Sequence, residues 1–76
     1  MPPHLITLAS EIRDLRVRAQ RTAADVARHL KIARQSFHQW ENAQSLLPVE
    51  RLGELLKLYE ADDATMLRLF KMRAGI

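Results

Sequence analysis

The sequence predicts an all-α domain of five helices. Apolar residues recur at three- and four-residue spacing in separate segments, and no run alternates in the manner of a strand. Helix-start chemistry then falls between those segments, at Thr22, at Pro48 and at Asp62 or Asp63. In the first segment Leu5, Leu8, Ile12, Leu15 and Ala19 keep helical spacing, so a helix is expected from about Thr7 to Ala19, with residues 1–6 as a short disordered tail. Thr22 followed three residues later by Asp25 is a capping-box-like start for a second helix whose buried stripe is Val26, Ala27 and Leu30. Lys31, Ile32 and Ala33 form a turn. A third helix then runs to about Asn42, and a loop from Ala43 to Leu47 follows. Pro48 suits the first turn of a fourth helix lined by Leu52, Leu55, Leu56 and Tyr59. Asp62 or Asp63 caps a fifth, in which Met66, Leu67, Leu69 and Phe70 are apolar.

A chain of 76 residues is one small domain, expected to span 7–73. Hydrophobic residues make up 47% and charged ones 28%, with two Gly and three Pro, which is too apolar for intrinsic disorder. There is no cysteine, so disulfides and thiolate zinc sites are excluded, and the composition suits a reducing compartment. MPPHLITLAS has neither a basic start nor a long apolar run, and no later apolar stretch is long enough to span a bilayer. A cytoplasmic location is expected, with no membrane association.

Charge is uneven along the chain. Between Arg13 and Arg34 stand seven basic residues against Asp14 and Asp25, whereas Pro48 to Ile76 carries five of each sign. The net +3 is therefore concentrated around the second and third helices, as expected of a surface that approaches phosphates. Within the third helix Phe37 and Trp40 lie three apart, with Ala33 one turn earlier, and share one side. Arg34, Gln35, Ser36, His38 and Gln39 cover the rest. Arg pairs bidentately with guanine O6/N7 and Gln with adenine N6/N7, and a single helix fits the major groove of DNA.

Residues 22–43, TAADVARHLKIARQSFHQWENA, together with the flanking helices over about 6–70, resemble the lambda-repressor/Cro-like (XRE-type) helix-turn-helix family. The resemblance rests on small Ala27, apolar Val26, Leu30, Ile32 and Phe37, and Trp40-Glu41 closing the third helix. It implies a motif over about 22–42, a symmetric dimer on double-stranded DNA, and a third helix that enters the major groove. Carried over position by position, it makes Arg34, Gln35 and Gln39 base readers, with Ser36 and His38 as further base or phosphate contacts. It makes Thr22 and Asn42 phosphate contacts and Arg16 with Glu41 a structural ion pair. Two positions depart from the family pattern. Ala23 stands where many relatives have a phosphate-binding Gln, so anchoring falls to Arg21, Arg28 or Lys31. Lys31 stands where a left-handed Gly is usual, and a residue with a Cβ there costs about 1 kcal/mol.

Met66, Leu67, Leu69 and Phe70 are expected to carry the homodimer contact. His4, His29 and His38 lie on the tail and on two different helices without Cys or i, i+4 partners, so no metal site is expected. No glycine-rich phosphate loop or activated nucleophile is present; neither catalysis nor a cofactor is expected. Two further functions fit the sequence: an antitoxin or other partner-dependent regulator, and a helix-turn-helix domain adapted for protein binding alone.

Overall fold

A computed structural model describes residues 1–76 as five α-helices without strands. They are α1 (Pro3–Arg18), α2 (Ala23–Leu30), α3 (Arg34–Glu41), α4 (Val49–Leu58) and α5 (Asp63–Ala74). Every helix sends at least one fully buried side chain into a common centre: Ile12 from α1, Val26 from α2, Phe37 from α3, Leu52, Leu55 and Leu56 from α4, and Leu69 from α5. Burying an aliphatic or aromatic side chain of this size is worth about 1.5–3 kcal/mol. These few residues therefore carry much of the drive to fold. α1 packs on both α3 and α5, α2 on α3, and α4 on α5.

Helix starts follow local chemistry. Thr22 Oγ1 accepts the Asp25 amide at 3.1 Å and opens α2, and Asp62 Oδ1 accepts the Thr65 amide at 2.7 Å and opens α5. Pro48 is the N-cap of α4, with Val49 the first helical residue. The structure corrects the start of α1, which begins at Pro3 rather than near Thr7. Pro3 at the first helical position surrenders an amide that no helix would use, and its ring fixes a helical φ. The Pro2 carbonyl then accepts the amides of Leu5 and Ile6 at 3.0 and 3.2 Å, and half-buried Leu5 packs on the core. His4 is therefore helical, and the segment expected to be a tail is the first turn of α1.

The helix ends share one geometry. Gln20, Lys31, Ala43 and Glu60 adopt φ of 58°, 57°, 57° and 56°, and Gly75 follows α5 with φ of 78°. After each, the next amide reaches back five residues: Arg21 to Arg16, Ile32 to Ala27, Gln44 to Gln39, Ala61 to Leu56 and Ile76 to Lys71, at 2.9–3.2 Å. These bonds satisfy carbonyls that a helix end otherwise leaves open. Four of the five positions carry a Cβ, and each stores about 1 kcal/mol of left-handed strain.

Ala43 has no side-chain hydrogen bond to offset that strain. Ala43→Gly is expected to raise stability by about 0.5–1 kcal/mol, read as a higher urea midpoint at unchanged slope. The hydroxyl and amide of Thr65 hold the Asp62 carboxyl below its ordinary value. A depressed native pKa adds stability above the unfolded pKa, near pH 4, and that contribution disappears as pH falls through the native value. Asp62→Asn, which keeps a capping side chain but no charge, is expected to be less stable than the parent at neutral pH. The difference should close once pH has fallen through the native value, read from urea midpoints taken across the acid range.

Candidate nucleic-acid interface

The geometry of α3 follows from which of its sides is consumed by the core. Phe37 is fully buried and meets half-buried Trp40 edge-on, with ring centroids 6.2 Å apart and an interplanar angle of 79°. Glu41, next to that apolar side, is 8% exposed, and its carboxylate receives two bonds from Arg16 on α1: Nε to Oε2 at 2.7 Å and Nη2 to Oε1 at 3.2 Å. Arg16 Nη1 also donates to the Arg21 carbonyl at 2.9 Å, tying the end of α1 to the approach to α2. The Glu41 carboxylate holds the Arg16 guanidinium above its ordinary pKa against the opposing effect of burial. Apolar packing and this fork-to-carboxylate contact together fix both the position and the roll of α3.

The opposite side of α3 is left to solvent. Arg34 and His38 are exposed and one turn apart; beside them run exposed Gln35 and half-buried Gln39; half-buried Ser36 completes the arc. No side-chain hydrogen bond within the chain occupies any of these five. The residues expected to meet phosphate border this face and are all exposed: Arg21 and Thr22 at the entry to α2, Arg28 on α2, Lys31 in the turn and Asn42 after α3. They differ in what they already do. Thr22 caps α2, Asn42 Nδ2 donates to the His38 carbonyl at 2.9 Å, and Arg28 pairs with Asp25. Arg21 and Lys31 make no ion pair.

Lys31 is left-handed, at φ 57° and ψ 44°, so the turn keeps its usual shape without glycine. Ala27 is 3% exposed, and its carbonyl accepts the Ile32 amide at 3.0 Å. A side chain larger than methyl there would push α2 from its neighbours.

Two features of the neighbourhood escape a reading of the sequence. Tyr59, the residue that ends α4, lies beside the Arg16–Glu41 pair; its buried hydroxyl makes no hydrogen bond within the chain. Burial, helped by the Glu41 carboxylate, raises its pKa far above the ordinary value, so it stays neutral. Arg73 Nε donates to the Leu47 carbonyl at 2.6 Å, anchoring the loop after α3 to α5. Both contacts join residues distant in sequence and leave no local signature. The Asp25–Arg28 pair is different, since its i, i+3 spacing is a signal that sequence alone carries.

The apolar residues of α5 divide by environment. Leu69 is 0% exposed within the single chain and has no surface to offer a second copy, which corrects its assignment to a dimer contact. It lies on the side of α5 that faces the core. Leu67 is 58% exposed, and Met66 and Phe70 are half-buried. No group of three or more His, Asp or Glu side chains is close enough to hold a metal, and His4, His29 and His38 stand on α1, α2 and α3. No helix is long and apolar enough to cross a membrane.

Two short helices joined by a tight turn, the second anchored by one side and bare on the other, define a helix-turn-helix domain. The helix-turn-helix domain family matches residues 7–75, and the chain belongs to it. That membership is consistent with the XRE-like resemblance. No curated protein and no solved structure matches the chain significantly.

The Arg16–Glu41 contact yields a direct test. Glu41→Ala leaves the Arg16 guanidinium, whose side chain is 14% exposed, without its counter-charge. A loss on the order of 3 kcal/mol is expected in urea unfolding. Replacing both partners, by Arg16→Met with Glu41→Leu, is expected to recover most of it, because no unpaired charge then remains in the core.

Proposed function

We propose that this protein is a sequence-specific regulator of transcription that binds double-stranded DNA through α3. The single observation that carries the reading is the unoccupied Arg34, Gln35, His38 and Gln39 surface on a helix whose other side is fixed by Phe37 and Glu41. Polar groups held on a rigid support lose little freedom when they meet base edges, and Arg and Gln are matched to guanine and adenine. In this reading Arg34, Gln35 and Gln39 read bases, and Ser36 and His38 add base or phosphate contacts. Arg21, Thr22, Arg28, Lys31 and Asn42 meet the backbone.

The regulator acts as a repressor by occupying a palindromic operator as a homodimer, with half-sites about one helical turn, ~34 Å, apart. Exposed Leu67, with half-buried Met66 and Phe70, supports self-association through α5. The protein works in the cytoplasm, without a cofactor and without catalysis. A second reading, a regulator that also engages a heterologous protein, is favoured by the same exposed Leu67, because one apolar surface can serve either kind of partner.

Selection of genomic fragments by the purified protein at near-physiological salt is expected to enrich an inverted repeat. Enrichment of single half-sites would remove the dimer from the proposal, and recovery of no DNA would remove the proposal itself. On the selected site, Arg34→Ala and Gln35→Ala are each expected to lose about 1–3 kcal/mol of discrimination against altered bases. Arg28→Ala should instead weaken binding to every duplex alike and reduce the slope of log K against log salt by up to about 1. Equal discrimination by parent and variants, in competition against point-altered operators, would place the reading surface elsewhere.

A further inference from the structure

Asp25 occupies the third position of α2, where a capping-box acid would reach back to the amide of the cap residue. It does not do so. The Thr22 hydroxyl accepts the Asp25 amide, but no return bond runs from the Asp25 carboxylate to the Thr22 amide; the carboxylate is turned instead onto Arg28, one turn along the helix. The side chains of both partners are well exposed, 56% for Asp25 and 73% for Arg28. The pair therefore owes little to burial, and a surface contact of this kind holds its geometry only weakly. What it does alter is the charge presented beside the turn, since the one guanidinium on α2 is matched by a carboxylate while Arg21 and Lys31 are not.

We propose that Asp25 is a built-in competitor for the phosphate that Arg28 would contact, an autoinhibitory pair that lowers affinity for DNA of any sequence while leaving base reading by α3 untouched. The proposal rests on the DNA-binding function inferred above. A phosphate approaching α2 must displace Asp25 from Arg28 and then lie close to the displaced carboxylate, so both the contact and its counterion release are diminished. Damping of this kind has a use. A regulator finds its site against a large excess of other DNA, and weaker phosphate contacts shorten each non-specific encounter while leaving the ratio of operator to non-specific affinity unchanged.

The test measures binding of a mixed-sequence duplex across a salt series, for the parent, Asp25→Asn, Arg28→Gln and the double variant. Asp25→Asn is expected to bind about three- to tenfold tighter at ~0.15 M salt, with the salt slope steeper by a part of the about 0.9 that one full phosphate contact contributes, the rest being already present in the parent. In the Arg28→Gln background the slope should no longer change, and the gain should fall to less than half its size in the parent background. Circular dichroism follows helix content, and Asp25→Ser serves if the Asn variant loses it. No gain from removing Asp25, or the same gain and slope change in both backgrounds, would overturn the competitor role, the latter by assigning the effect to net charge alone. A parent protein that binds no duplex at low salt would overturn the functional reading itself, and the competitor with it.

Discussion

α2 and α3 contain eight residues each, below the ~12–15 at which an isolated helix is even marginally stable in water. Neither exists without the other three. Phe37 is the residue through which α3 is paid for: fully buried in a core to which every helix contributes, it makes helix formation and core formation one event. The side chains of α3 that face outward are thereby left without a bond inside the chain.

The parts of this arrangement that could be read from sequence are those set by local chemistry. The Thr22 cap and the Phe37 side of α3 follow from residues within a turn or two of each other, whereas the left-handed turn at Lys31 was legible only through family resemblance. The start of α1 was hidden because Pro-Pro signals irregular chain as readily as a first turn, and only the packing of Leu5 on the core distinguishes the two. Leu67 and Leu69, two positions apart, fall on opposite sides of α5, and hydrophobicity alone does not say which side the core takes. The bonds from Arg16 to Glu41 and from Arg73 to the Leu47 carbonyl bridge 25 and 26 residues. The first was legible only through family resemblance, and the second left no sign.

Two Arg–carboxylate contacts flank the motif, and burial gives them opposite characters. Arg16 and Glu41, nearly closed off from water, are each other's only counter-charge, and their contact is one of position. Arg28 and Asp25, in open solvent, trade partners at little cost, and their contact is one of availability. The same chemistry thus fixes the frame of the motif in one place and leaves its electrostatics adjustable in another.

The left-handed residues at the helix ends bear on how long the protein persists. Strain of about 1 kcal/mol at each of Gln20, Lys31, Ala43 and Glu60 is a sizeable part of the 5–15 kcal/mol that separates a native domain from its unfolded chain. Each such increment multiplies the unfolded population about fivefold, and proteases act on that population. Gln20 and Glu60 follow α1 and α4, so mutation to glycine there would relieve strain without changing a side chain on α3 or in the turn before it. At Lys31 the same change would remove a positive charge beside the turn. Strain and the charge beside that turn are separable at two helix ends of this fold and joined at a third.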